Sequence, residues 1–300
     1  MVNPPFLKSG DKIGIVAPGR KVKPSDIEAS INFFEAWGLQ VVLAKNVYSN
    51  DHSYLAGTDS QRLSDFQSMM DDSSIRSIIC ARGGYGSTRI LDQLDFTSFL
   101  KSPKWVVGFS DITAFHLKLS KINVASIHGT MPILFSKKQA IDSVESLQRL
   151  LFGDPRHFLI DSHPSNRIGK STGQLVGGNL SLIVDSIGTA NEPDTDGKIL
   201  VIEEVDEYLY KLDRMMVQLK RAGKFNNLNG LIVGHMTDIK DTELKFGEHV
   251  EDIIRNHTSS FQFPIAFNFS IGHENPNLAW IHGAIAQLDV AGRNSRLSYL

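Results

Sequence analysis

The chain predicts an α/β protein, with an N-terminal domain built on a parallel sheet and a second α/β domain built on a mixed sheet. Three observations carry this expectation. In the first half, short apolar runs alternate with segments of helical period. Those runs end in glycine- or proline-bearing turns. After a polar stretch near the middle of the chain, apolar runs and helical segments return.

Taken in order, Lys12 to Ala17 reads as a buried strand stopped by Pro18-Gly19. Ser25 with Glu28 three residues on has the form of a capping box, opening a helix with Ile27, Ile31, Phe34 and Trp37 on one face. Gly38 suits its C-terminal cap, and Leu39 to Leu43 is the next strand. Thr58 and Gln61 form a second box before a helix carrying Leu63, Phe66 and Met70. Ile78 to Ala81 is a short strand that runs into Arg82-Gly83-Gly84-Tyr85-Gly86. Trp105 to Val107 is another, running into Gly108-Phe109-Ser110-Asp111. The polar, Pro- and Gly-punctuated stretch that follows places a domain boundary there: 1–152, a linker over 153–172, and 173–300. Beyond it, Ile199–Ile202, Leu231–Val233 and Ile265–Phe267 read as strands, with a helix from Leu209 to Ala222 stopped by Gly223.

Composition narrows the function. The chain has 300 residues, 41% hydrophobic and 21% charged, ample for a packed core. A formal net charge of -2 argues against a nucleic-acid partner. No apolar stretch near Met1 has the length of a signal peptide, and no window approaches the roughly 18 apolar residues of a membrane span. The one cysteine, Cys80, excludes an internal disulfide, so a reducing cytoplasm without membrane attachment is the expected setting. No histidine pair has zinc-helix spacing, and neither a metal nor another cofactor is expected.

Ser110 sits between an apolar strand and a helix with Ile112, Phe115, Leu119 and Ile122 on its inner face. A strand-to-helix turn lifts a serine hydroxyl clear of the sheet and aims helical N–H groups at what it attacks. Ile112 stands where the usual elbow has a second glycine, so the local pattern also fits a plain N-cap serine. The turn after the 78–81 strand offers N–H groups to an anion or an oxyanion, and equally fits a tight turn of positive φ. His273 lies in the polar loop Ile271-Gly272-His273-Glu274-Asn275-Pro276-Asn277 after a buried strand, and Glu203 closes the 199–202 strand. Taken singly, each has an ordinary structural reading.

Together the blocks resemble the LD-carboxypeptidase family, which includes the microcin-C immunity peptidases. The resemblance runs from about Leu7 to Leu288. In the first domain it is carried by Tyr54-Leu55-Ala56-Gly57-Thr58-Asp59, Ala81 to Gly86 and Val107 to Thr113. In the second it is carried by Gly177-Gly178-Asn179-Leu180, Gly197 to Val205, Leu212-Asp213-Arg214-Met215 and Gly272 to Leu278. It implies Ser110 as nucleophile, Glu203 as the acid that orients the base, and His273 as the base. The backbone N–H groups of Gly84 and Asp111 would form the oxyanion hole, with Arg82 and Tyr85 touching substrate. It further implies a homodimer acting on a small peptide or muropeptide, removing the terminal D-alanine of a stem tetrapeptide in wall recycling. Cleavage of a microcin-type antibiotic and non-catalytic peptide binding are the alternatives. Glu204 stands where the family commonly has Asp. Trp280-Ile281-His282-Gly283 replaces the family's usual segment, and Trp280 and His282 are expected to reshape the substrate pocket.

Overall fold

The apolar runs of the first half become five strands: β1 (Lys12–Val16), β2 (Gln40–Leu43), β3 (Ile75–Cys80), β4 (Trp105–Gly108) and β5 (Ser126–His128). They are seen in a computed structural model that describes residues 1–155 and 157–300. All five pair in parallel, in the order β2-β1-β3-β4-β5. Parallel neighbours need crossover connections, and helices supply them: α1 (Pro24–Ala36), α2 (Asp59–Asp71), α3 (Ser87–Leu91), α4 (Thr97–Lys101) and α5 (Thr113–Lys121), with α6 (Ile141–Leu151) after β5. Because β2 and β3 flank β1 on opposite sides, the strand order reverses between β1 and β3. In open sheets of this kind, ligands bind outside the carboxyl ends of the strands at that point. Pro18-Gly19 and the Arg82–Gly86 turn both lie there.

Helix α1 begins earlier than the Ser25–Glu28 pattern implied. Pro24 is its first residue, and Asp26 rather than Glu28 caps it, accepting the Lys23 N–H at 2.8 Å. Proline pre-sets the first helical φ, so it outcompetes a serine one residue later. The Thr58–Gln61 box forms as expected, with each side chain accepting the other's N–H. Its helix differs in its buried face, which is Arg62, Asp65, Phe66, Met69 and Met70, with Leu63 only half-buried.

Arg62 is 2% exposed. Its Nη1 donates to the carbonyls of Pro18 and Gly86, the latter at 2.8 Å, and its Nη2 pairs with Asp59. Asp59 in turn holds Arg89 through two nitrogens. One buried guanidinium therefore ties the turn after β1 to the turn after β3.

The remaining elements are β6 (Phe158–Asp161), β7 (Gly169–Asn179), α7 (Leu180–Asp185), β8 (Ile199–Val205), α8 (Leu209–Arg221), β9 (Gly230–Thr237), α9 (Val250–Thr258), β10 (Ile265–Ala266), β11 (Trp280–His282), β12 (Ile285–Val290) and β13 (Asn294–Tyr299). Seven of the strands form a mixed sheet, β10-β9-β8-β7-β12-β13-β6. It is parallel from β10 to β7 and antiparallel from β7 to β6. The stretch 153–172, expected as a linker, contains β6 and the start of β7. Much of it is polar outside Phe158–Ile160, but β13 pairs with β6 and β12 pairs with β7 from Gly169 onward, and backbone pairing needs no apolar pattern.

The chain forms two compact units. Unit 1 is Met1–Pro155 together with Asn275–Ile281, and unit 2 is the rest of the described chain. The returning segment is fastened to α6: Asn277 N–H donates to Ser143 Oγ at 2.8 Å and Ala279 N–H to Ser146 Oγ at 2.9 Å. Its end, β11, adds to the edge of the first sheet beyond β5. Among the described residues no helix is long and apolar enough to cross a membrane.

All three tryptophans, Trp37, Trp105 and Trp280, lie in unit 1, so their fluorescence reports its unfolding. Replacing Arg62 by Met orphans two loop carbonyls at about 1–3 kcal/mol each. Arg62→Met is expected to lower the stability of unit 1 by about 2–5 kcal/mol. Urea titration followed at the tryptophans measures this, and an unmoved midpoint would show the clamp to be dispensable.

Candidate active site

Strand β4 ends at Gly108, and Ser110 begins a short 3₁₀ turn, Ser110–Ile112, that leads into α5. Ser110 has φ 62°, a left-handed backbone that a serine adopts only when its surroundings impose it. Gly108 has a steric role here. A Cβ there would lie 2.8 Å from Ile112 Cγ1, so Gly108 makes room for the very side chain that breaks the two-glycine elbow pattern. Beneath the elbow, His116 is buried, with Nε2–H donating to the Gly108 carbonyl at 2.9 Å and Nδ1 accepting from Ser126 at 2.8 Å. Burial lowers its pKa to about 4, so it stays neutral.

The glycine turn presses on this elbow. A Cβ at Gly83 would sit 3.1 Å from Ser110 Cβ, 3.3 Å from its Oγ and 3.4 Å from the Asp111 nitrogen. Gly84 has φ 104°, and its N–H donates to no protein acceptor among the described residues. Asp111 lies in the first turn after the strand, where N–H groups lack intrahelical partners. Its carboxylate is buried and accepts from Ser87 through both N–H (3.0 Å) and Oγ (2.7 Å). Burial raises its pKa, and the Ser87 bonds and the Arg62 charge offset part of that. Arg82 is half-buried and Tyr85 is 51% exposed.

In unit 2, the strand holding Glu203 runs further than expected. β8 continues to Val205, with an irregular register against β9 between Ile202 and Glu204. Both acids at the end of β8 are buried, Glu203 at 0% and Glu204 at 3% exposed. The two have separate partners. Glu203 Oε2 accepts His273 Nδ1–H at 2.7 Å. Glu204 accepts from Asn179 Nδ2 (3.0 Å) and from Ser181 through N–H (2.8 Å) and Oγ (2.6 Å), pinning the start of α7. Gly234 and Gly272 close around Glu203: a Cβ at Gly272 would meet Glu203 Oε2 at 2.9 Å, and one at Gly234 would meet its Cβ at 3.3 Å.

Burial works to lower the His273 pKa, but the Glu203 charge and hydrogen bond, helped by Glu204, outweigh it and raise the value above 6.5. With Nδ1–H committed to Glu203, the neutral ring presents Nε2 as its basic atom. Nearby His235 goes the other way, lowered by burial against the pull of Glu274 and Glu203. It walls a polar cavity of about 190 Å³ together with Glu274.

The remaining candidates divide plainly. Cys80 is buried, and burial and then the Asp111 charge push its thiol up, away from nucleophilic use. Among the described residues no group of three or more His, Cys, Asp or Glu side chains is arranged to hold a metal ion. Trp280 and His282, expected to shape a pocket, are both fully buried. Trp280 stacks on His128 with centroids 5.2 Å apart, and His282 Nε2 accepts the Gly177 N–H at 3.1 Å. Ser110, Asp111, Arg82, Gly84 and Tyr85 belong to unit 1, and Glu203 and His273 to unit 2.

Comparison with known proteins bears on both halves. Residues 13–129 match the model of the LD-carboxypeptidase N-terminal domain, and residues 172–288 that of the LD-carboxypeptidase C-terminal domain. The chain belongs to the LD-carboxypeptidase family. A probable murein peptide carboxypeptidase of Bacillus subtilis is 34% identical to it over 300 residues, covering 97% of this chain and 93% of that one. The crystal structure of a muramoyltetrapeptide carboxypeptidase from Oxalobacter formigenes superposes with a TM-score of 0.88 at 26% identity, covering 96% and 98% of the two chains. MccF, solved with glutamyl sulfamoyl guanosine, superposes with a TM-score of 0.85 at 20% identity, covering 98% and 97%; that likeness is one of fold. As an LD-carboxypeptidase family member the chain is a carboxypeptidase-type hydrolase.

Arg62 and His116 of unit 1 escaped the sequence reading, and so did the bracing role of Glu204 in unit 2. Arg62 had a usable signature, since it lies four residues before Phe66 and seven before Met69, on their face of α2. His116 likewise falls among the buried positions of α5. Glu204 had none, because a strand that buries both its faces does not announce itself by alternation.

The His273–Glu203 pair gives a pH prediction. A histidine whose folded pKa is raised lends stability fully below its unfolded value and loses it as pH climbs through the folded value. NMR titration of His273 is expected to show a midpoint above 6.5. In Glu203→Gln the burial effect is left largely unopposed, and the midpoint should fall below 6.5. Equal midpoints in the two proteins would refute the electrostatic assignment.

Proposed function

We propose that this chain is a serine LD-carboxypeptidase that removes the terminal D-alanine from muropeptide tetrapeptides. The observation that carries it is the buried Glu203–His273 bond, which leaves Nε2 as a base, in a family whose relatives are named for murein peptides. In this reading His273 Nε2 takes the Ser110 Oγ proton as that oxygen attacks the amide carbonyl carbon. Glu203 holds the tautomer and stabilises the imidazolium. The N–H groups of Gly84 and Asp111 bind the oxyanion, each worth about 3–4 kcal/mol in comparable sites. His273 then passes the proton to the departing D-alanine amine. Water repeats the cycle on the acyl-enzyme, and the tripeptide leaves. The left-handed backbone of Ser110 and the side-chain-free Gly83 keep the hydroxyl open to attack. We place this activity in cytoplasmic recycling of wall peptides, carried out by a homodimer.

Incubation with a disaccharide tetrapeptide is expected to release one alanine, read by mass spectrometry. Ser110→Ala should stay folded and lose turnover by about four to six orders of magnitude. Turnover near the normal level in that variant would sink the mechanism.

Because the base must be neutral to act, kcat/KM should decline on the acid side with a midpoint above 6.5. Glu203→Gln should lose more turnover than Glu204→Gln, whose carboxylate braces the β7–α7 turn rather than the base. Measuring both variants across pH decides the assignment, and a larger loss at Glu204 would reverse it.

A further inference from the structure

A carboxypeptidase must recognise a free C-terminal carboxylate, and unit 1 carries two guanidinium groups beside the glycine turn that no carboxylate engages. Arg20 follows β1 and Arg82 follows β3. These strands are parallel neighbours, with Val16 opposite Cys80, so both side chains start from one short stretch of sheet edge. Arg20 N–H donates to the Gly83 carbonyl at 3.1 Å. Its stem runs along Gly84, where a Cβ would lie 3.0 Å from Arg20 Cβ and 3.5 Å from Cδ. Gly83, between the two, is the residue packed on Ser110.

Arg20 is exposed and Arg82 half-buried, and neither charge is matched by a carboxylate. Arg62, Arg89 and Arg149 each pair with an aspartate, whereas among the described residues neither Arg20 nor Arg82 forms an ion pair. Arg82 makes one long bond, from Nη1 to the Lys21 carbonyl at 3.5 Å. Burial, and after it the Arg20 charge, depresses its pKa, so the two cations sit within each other's field. The Asp26 charge counters this in part, but that carboxylate is committed to the Lys23 N–H. Arg20 is steadied from one side by Tyr54, its guanidinium carbon 5.1 Å from the ring centroid. Two neighbouring guanidinium groups without a carboxylate partner favour a planar carboxylate, which takes paired N–H donors.

We propose that Arg20 and Arg82 form the subsite for the substrate's terminal carboxylate, and so restrict cleavage to the last residue. This rests on the carboxypeptidase reading above. The carboxylate of a single leaving residue lies about one 3.8 Å Cα step beyond the scissile amide. Gly83 and Gly84 add no side chain of their own to that step, and Arg20, whose stem lies along Gly84, and Arg82, which precedes Gly83, flank it. A longer chain would bring an amide, not a carboxylate, to the cations.

The test uses a stem tetrapeptide ending in D-alanine as the free acid and as the C-terminal amide, with wild type, Arg20→Gln, Arg82→Gln and the double variant. Wild type should prefer the acid. Each substitution should raise KM for the acid on the order of 10- to 100-fold, the range of one charge-assisted hydrogen bond, with kcat little changed and the amide unaffected. Equal losses on acid and amide, or an undiminished preference for the acid, would overturn the subsite. Calorimetry on Ser110→Ala separates this from the parent reading. If wild type cleaves neither peptide, the carboxypeptidase assignment fails. Tighter binding of the acid that disappears with Arg20→Gln or Arg82→Gln would still support the subsite, and equal binding of acid and amide would dismiss it.

Discussion

At the carboxyl edge of the first sheet, three turns approach so closely that no side chain fits between them, and two buried charges hold them there. Gly19 and Gly83 face Asp111 and Ser110, and Gly86 faces Arg62. Backbone packed this tightly leaves its carbonyls and N–H groups without water, so each needs a protein partner. Arg62 answers the carbonyls of Pro18 and Gly86, and Asp111 answers Ser87. The left-handed Ser110 follows from this crowding. An isolated serine would relax out of that backbone at a gain of about 1–3 kcal/mol, but here Ile112, His116 and Gly83 fix the residues around it.

Unit 2 solves a different problem, the burial of two adjacent carboxylates on one strand. Their mutual repulsion is relieved by giving each its own donors. Glu204 is taken by neutral groups of the β7–α7 turn, and burial raises its pKa in spite of them. Glu203 is left for the imidazole, whose positive form it stabilises. The division of labour follows from partner chemistry: hydroxyl and amide donors make a brace, and a titratable ring makes a tunable base.

Much of the fold could be read from the sequence because parallel strands buried on both faces appear as continuous apolar runs. β1, β3, β4, β8 and β9 all did so. The short strand β6 and the glycine- and polar-rich β7 could not be read this way, since their place depends on ladders to β12 and β13 far along the chain. The same limit explains Trp280 and His282. As letters they differ from the family's usual segment and suggest a reshaped pocket. Folded, they fill interior space against His128 and Gly177.

By itself the sequence determined the α/β class, the strand-end positions of Ser110 and of the glycine turn, and, through ordered motif blocks, the family. These are local matters, set by periodicity, by turn chemistry and by residue identity. Tertiary structure alone decided that Glu204 is buried as a brace of the β7–α7 turn, that Arg62 and Asp111 are buried clamps, and that Arg20 and Arg82 lie near each other without a carboxylate partner. Each is a pairing or its absence between residues well apart in sequence. Burial and charge at such positions depend on which strand ends the sheet order brings together, and no local window contains that order.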